Sequence, residues 1–220
     1  MIEKCGIVVD GEFIELENIA KDKAVTFSID PKHLMRDDIE AIWHTHPDGY
    51  PYLSAQDRIA QVASGLKWIL VKDENLEVDY VPFLVGRSFE YGKADCGTIV
   101  EDSYMLAGVK LGLTERNDMS EDMSSGYILE SLFNAGFYEI KQDEVQAGDV
   151  IVTTFNGSAD HMMLYLGNEE ILHHLYNRNS RVEFLHDYYR KKISHVLRHK
   201  NWEEGMIQAI LNDIKAVQYG

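Results

Sequence analysis

The stretch "GRSFEYGKADCG", residues 86–97, divides this chain. Glycine and polar residues interrupt the apolar runs found on either side, as in a connection between folded units. A break near the middle of 220 residues predicts two small units rather than one large core. We place the boundary near residue 86. The residues before it read as alternating strand and helix. "CGIVVDGEFIELENIA" predicts a hairpin turning at Asp10-Gly11, "AVTFSI" a third strand, and "DPKHLMRDD" a helix with Asp30 as cap and Pro31 at its first position. "IEAIWHTH" and "KWILVK" read as buried strands. Between them "SAQDRIAQVASGL" has helical periodicity through Ile59, Val62, Ala63 and Leu66. "LEVDYVPFLVG" is a weaker strand because it carries a proline.

After the boundary two helical patterns, "CGTIVEDSYMLAGVKL" and "GYILESLFNAGF", precede three strand-like runs, "GDVIVTTF", "HMMLYLG" and "EEILHHLY". Helices first and strands later suggest an α+β unit. The tail, residues 201–220, is amphipathic, with Met206, Ile207, Ile210, Leu211, Ile214 and Val217 on one face, and is expected to pack on its own chain. The formal net charge of −16, from 37 acidic and 21 basic residues, argues against a nucleic-acid binder with a basic surface. No secretory leader is visible and no apolar run approaches a membrane span. The two cysteines, Cys5 and Cys96, cannot form a disulfide framework and read as free thiols.

Two groups of residues carry chemistry. In "HTHPDGYPYLSAQD", His44 and His46 on a strand would share a face. Pro47, Gly49 and Pro51 turn the chain, and Ser54 and Asp57 match a capping box that opens a helix. That first turn can bring Asp57 beside the histidines, three ligands of the kind that hold catalytic zinc with a fourth position open. In the second group Cys96 begins a helix, where backbone N–H groups and the dipole favour a thiolate. His161 opens a later apolar strand and His173 follows twelve residues on. A thiol, a base and a group that orients the base are the parts of thiol acyl transfer.

These motifs resemble known families. The H-x-H…S-x-x-D spacing, with "EKCGIVVDG" before it, resembles the JAMM (MPN-plus) metalloproteases, so the first unit is expected to be a JAMM-like, cytidine-deaminase-like α/β sandwich. The resemblance implies a zinc ion held by His44, His46 and Asp57, with Ser54 bonding the tetrahedral intermediate. Glu3 would be general base and acid, with Glu12, Glu15 and Glu17 as fallbacks. A helix normally precedes the Glu strand in that family. Here Glu3 stands third, and a fraying terminus would hold it poorly. "DCGTIV", "GDVIV" and "HMMLYLGNEEILHH" resemble the NlpC-type cell-wall cysteine peptidases, which implies a papain-like α+β unit over residues 87–200. Cys96 would be nucleophile, His161 base and His173 the orienting residue, with His174 on the opposite face and Tyr91 near the oxyanion. Gly97 stands where that family often has serine.

The order of the two units resembles phage tail-tip assembly proteins. It implies a tail hydrolase that cleaves peptidoglycan stem peptides, with other tail-tip proteins as partners. Its place would be the host cytoplasm during assembly or the virion tail tip. The alternative reading is a zinc-binding structural tail-assembly protein with little or no activity.

Overall fold

The computed structural model describes residues 1–113, 115–116, 126–155 and 159–218. The chain forms two compact units, Met1–Pro82 and Phe83–Val217. The division falls slightly before residue 86.

The first unit is a five-stranded mixed sheet. Strands β1 (Cys5–Val9) and β2 (Glu12–Leu16) form the expected hairpin. Asp10 and Gly11 both have positive φ, 50° and 75°, the turn conformation whose twist matches the flanking strands. Strand β3 (Ala41–His44) pairs antiparallel with β1, and β4 (Lys67–Leu70) runs parallel to β3. Helix α1 (Ala55–Ser64) lies between them in the chain, as a parallel crossover requires. Strand β5 (Leu76–Val78) completes the order β2-β1-β3-β4-β5. Strands β1 and β3 are buried along their whole length, which explains their continuous apolar runs.

Three expectations for this unit need correction. "AVTFSI" forms no strand. The Asn18 side chain holds it instead, donating to the Thr26 carbonyl and accepting from the Ser28 N–H. "DPKHLMRDD" is only a single 3-10 turn, Pro31–His33, although Asp30 caps it as expected. Helix α1 buries the predicted apolar stripe only in part; Ile59 and Val62 are half-buried and Ala63 is exposed, whereas Asp57, Arg58 and Gln61 are buried. Those polar groups are satisfied by specific acceptors and donors. Arg58 reaches the Val81 carbonyl and Gln61 the Val78 carbonyl.

The second unit packs helices against an antiparallel six-stranded sheet. Helix α2 (Cys96–Leu106) and helix α3 (Tyr127–Ala135) precede the strands. Strand β6 is Phe137–Ile140, β7 Val150–Thr153, β8 His161–Gly167, β9 Glu170–His173, β10 Arg181–Phe184 and β11 Ile193–His199. They are ordered β10-β9-β8-β7-β11-β6. Strands β7, β8 and β9 match the three expected runs, and β6, β10 and β11 are additional to them. Strand β10, "RVEF", is nowhere fully buried, so no apolar run marks it. A short helix α4 (Asp187–Arg190) places Tyr189 in a cluster with Ile151, Met163, Ile171 and Leu185. The tail forms helix α5 (Ile207–Val217), which packs against α2 and belongs to this unit. Its last two residues, 219 and 220, lie outside the described residues. Asp213 of α5 accepts a hydrogen bond from the Leu84 N–H at 2.8 Å.

Candidate active site

Cys96 is the first residue of α2, after Asp95 as cap. The Asp95 carboxylate accepts from the Thr98 N–H, and the Thr98 hydroxyl lies 2.8 Å from the Asp95 N–H, closing a capping box. Asp95 also accepts from the Gly92 N–H and from two N–H groups of Arg116, at 2.9 and 3.0 Å. Burial works against its charge, but the Arg116 guanidinium and the backbone donors hold its carboxyl below the ordinary value. Arg116 also accounts for Gly97. A Cβ at that position would stand 2.5 Å from the Arg116 Cζ.

The two histidines come from adjacent strands. The pairing of Leu164 with Leu172 sets β8 against β9 so that His161 and His173 are diagonal neighbours on one face. His161 Nε2 lies 3.2 Å from His173 Nδ1. His161 Nδ1 is thereby left out of the contact with His173, and His161 lines the same cleft as Cys96. His173 Nε2 in turn lies 2.7 Å from Glu183 Oε2, a β10 residue the sequence reading missed. Glu183 had no motif to announce it; its neighbours on a polar strand gave no signal.

His174 departs from its expected position on the opposite face. Strand β9 ends at His173, so strict alternation stops there. His174 lines the same cleft as Cys96 and His161, with Nε2 3.0 Å from the Arg178 carbonyl. The cleft has a volume of about 380 Å³, and its walls include Phe89, Tyr91, Tyr127, Phe155, Tyr176 and Tyr188.

The helix start is not the whole environment of the thiol. Burial and the adjacent Asp95 carboxylate push the Cys96 thiol up to about 11, outweighing the Met162 and Gly97 N–H groups and Arg116. Burial and the neighbouring His173 lower His161 to about 3. Both shifts favour the neutral forms of these two groups. A raised thiol pKa leaves thiolate scarce until the pH approaches that value. Alkylation of Cys96 by iodoacetamide is thus expected to accelerate about tenfold per pH unit from pH 7 to 10. A rate already level between pH 6 and 8 would instead reveal a thiolate–imidazolium pair. Cys5 is fully buried and does not compete.

The first unit brings its own group together. His44 ends β3, but His46 lies beyond the strand, so the loop rather than alternation aims its ring. His44 Nε2 and His46 Nε2 are 3.0 Å apart, and Asp57 Oδ2 lies 3.6 and 3.2 Å from them. Ser54 and Asp57 form the capping box predicted for α1; Ser54 Oγ accepts the Asp57 N–H and Asp57 Oδ2 accepts the Ser54 N–H. Despite burial, bonds from both histidines and Ser54 hold Asp57 far below the ordinary carboxylate value.

Glu3 is not at a frayed end. Its N–H donates to the Lys23 carbonyl at 2.7 Å, and its carbonyl accepts from the Asn18 side chain at 3.0 Å. The residue is 6% exposed, and burial together with the nearby Asp57 charge pushes its carboxyl up to about 7. Of the fallback glutamates, Glu12 and Glu15 lie on β2, whose first four residues are exposed, and Glu17 follows it with an exposed side chain.

The sequence model of the NlpC/P60 family matches residues 86–198, more than half of the chain. The chain belongs to the NlpC/P60 family. It is also a homologue of tail tip assembly protein K of Escherichia phage lambda, 35% identical over 184 residues, or 83% of this chain and 92% of that protein. That match is longer than the NlpC/P60 segment. Solved structures similar to the chain include an NlpC/P60 family protein from Bacillus cereus, 14% identical, covering 90% of this chain and 63% of that one, with a TM-score of 0.40. Another is the peptidoglycan hydrolase RipB of Mycobacterium tuberculosis, 19% identical, covering 66% of this chain and 65% of that one, with a TM-score of 0.37. The chain spans less than two thirds of the length of both. Among the described residues no helix is long and apolar enough to cross a membrane.

Proposed function

We propose that this chain is a phage tail hydrolase whose NlpC/P60 unit cleaves peptide bonds in peptidoglycan stem peptides by thiol chemistry. The observation that carries this reading is that Cys96, at a helix start, lines the same cleft as His161, whose ring is bonded in turn to His173. Cys96 attacks the scissile carbonyl while His161 takes the thiol proton on Nδ1. The C–N bond then breaks as His161 returns that proton to the leaving amine. Water, deprotonated by His161, hydrolyses the thioester and frees the thiol. The aromatic walls of the cleft hold the peptide. By family resemblance, the bond cleaved is the one after γ-D-glutamate.

The strongly acidic chain has no general attraction to an anionic wall. Attachment in a tail supplies local concentration instead, so little intrinsic affinity is needed. Other tail-tip proteins are the expected partners, with assembly in the host cytoplasm or residence at the virion tail tip. Mass spectrometry of purified sacculi digested with the full chain tests the reading. Released stem-peptide fragments support it; intact sacculi favour the structural tail-assembly alternative.

The first unit supports a second site, for zinc in a JAMM-like arrangement. Bonds of about 2.1 Å to a tetrahedral ion separate its ligand atoms by roughly 3.4 Å. The three separations here are 3.0, 3.2 and 3.6 Å. Two imidazole nitrogens at 3.0 Å need a proton or a cation between them. His46 Nδ1 is bonded to the Tyr50 carbonyl at 2.9 Å, which fixes the proton there and leaves Nε2 as a lone-pair donor. His44 Nδ1 has no such partner. Bound zinc would acidify its water and polarise a carbonyl. Glu3 would hold the proton taken from that water, and Ser54 retains a hydroxyl proton to donate to the substrate. The expected result of elemental analysis is one zinc per full chain, lost in His46→Ala. Wild-type protein without metal after zinc loading would remove the site.

A further inference from the structure

We infer that Glu183 is a positioning residue which sets the tautomers of both histidines, through His173, so that His161 presents a bare Nδ1 to Cys96. The inference rests on the reading of Cys96 as nucleophile, and it extends the Cys–His–His group to a fourth residue on a third strand.

The geometry is a two-step diagonal across the sheet. In the β9–β10 register His173 pairs with Arg181 and Ile171 with Glu183, so Glu183 is diagonal to His173, as His173 is to His161. Each diagonal step is closed by a ring nitrogen. His161 Nε2 meets His173 Nδ1 at 3.2 Å, and His173 Nε2 meets Glu183 Oε2 at 2.7 Å.

Proton placement follows from the end of the chain. An ionised carboxylate only accepts, so His173 Nε2 carries a proton and donates it. Neutral His173 then has a lone pair on Nδ1, which accepts from His161 Nε2–H. Neutral His161 is left with its lone pair on Nδ1, where a base toward the thiol is needed. With no anion at the end, the opposite polarity would be equally available. It puts a proton on His161 Nδ1 and abolishes its basicity at that atom.

Glu183 is itself held. Oε2 also accepts from the Tyr189 hydroxyl at 2.9 Å, and Oε1 meets Arg181 Nη2 at 3.0 Å. Partial burial opposes the charge, but Arg181, Tyr189 and His173 lower its carboxyl below the ordinary value, so it is ionised at neutral pH. Tyr189 is part of the apolar cluster under the sheet, which anchors the carboxylate to the core.

The Arg181 contact makes Glu183→Gln informative. Arg181 requires an oxygen at the Oε1 position, which turns the amide NH2 toward His173 Nε2. A donor there reverses the chain and leaves His161 protonated on Nδ1. Long-range 1H–15N correlation spectra of the full chain labelled at histidine read this directly. The expected wild-type pattern is protons on His161 Nε2 and His173 Nε2. The pattern should reverse in Glu183→Gln and be retained in Glu183→Asp. In sacculus digestion kcat should fall about 10²- to 10⁴-fold in Glu183→Gln with KM little changed, and recover in part in Glu183→Asp, as expected when a base is held in the wrong tautomer. A proton on His161 Nδ1 in the wild type, or unchanged tautomers in folded Glu183→Gln, overturns the inference. These spectra need no turnover, so they decide the role of Glu183 even if Cys96→Ala proves to retain activity.

Discussion

Cys96→Ala is expected to stop the release of stem-peptide fragments from sacculi, with a loss of about 10⁴-fold or more. The magnitude follows from the role. In a nucleophile–base–orienter group the members act as a unit, and removing the nucleophile costs nearly everything the group supplies. The fold should not change, because the side chain removed is small and partly open to the cleft, and the α2 cap is made by Asp95 and Thr98. Cleft and aromatic walls remain, so Cys96→Ala should still bind stem peptides it cannot cut. Unchanged fragment release by folded Cys96→Ala, read by mass spectrometry, would remove Cys96 as nucleophile and leave the zinc group of the first unit as the source of activity. Loss of release in Cys96→Ala together with retention in His46→Ala would assign peptidoglycan cleavage to the second unit alone.

The second large effect concerns stability. Arg116→Ala is expected to destabilise the second unit by about 3 kcal/mol, because it strands a buried carboxylate. The Asp95 and Arg116 side chains are only 2% and 7% exposed. Backbone donors from Gly92 and Thr98 remain, which places the cost at the lower end of the range for broken buried pairs. Gly97→Ala should act in the same direction, since its new Cβ displaces the same guanidinium. The double substitution should cost clearly less than the sum of the two, because the second change finds its contact already lost. Urea denaturation followed by circular dichroism measures all three. A change below about 1 kcal/mol in Arg116→Ala would mean that the backbone donors alone satisfy Asp95.

The pair also shows how sequence and structure divide the explanation. Cys96 reads from sequence as the start of a helix, and the structure has that start, capped by Asp95 and Thr98. Gly97 reads from sequence only as a departure from the serine common in the NlpC-type family. Only the fold shows what a side chain would meet there, since Arg116 lies nineteen positions away in the chain and its guanidinium occupies that space.

Sequence alone determined the local and periodic features of this protein. The Asp10-Gly11 hairpin, the capping box at Ser54, the helix start at Cys96 and the buried runs of β1, β3, β7, β8 and β9 all depend on neighbours within a few residues, or on patterns set by burial of a whole strand. Tertiary structure decided what depends on distant partners. Strand β10 carries no apolar run and exists because β9 offers it an edge, and on it stands Glu183, the residue that completes the histidine chain. The segment "AVTFSI" has strand-forming residues but no ladder to join, because Asn18 takes its backbone groups. Glu3 is held firmly although it is third in the chain, because Lys23 and Asn18 fold back onto its backbone. Burial and the Asp95 charge push the Cys96 thiol up although it begins a helix. Desolvation and charge pairing belong to the assembled fold, and no spacing in a sequence encodes them directly.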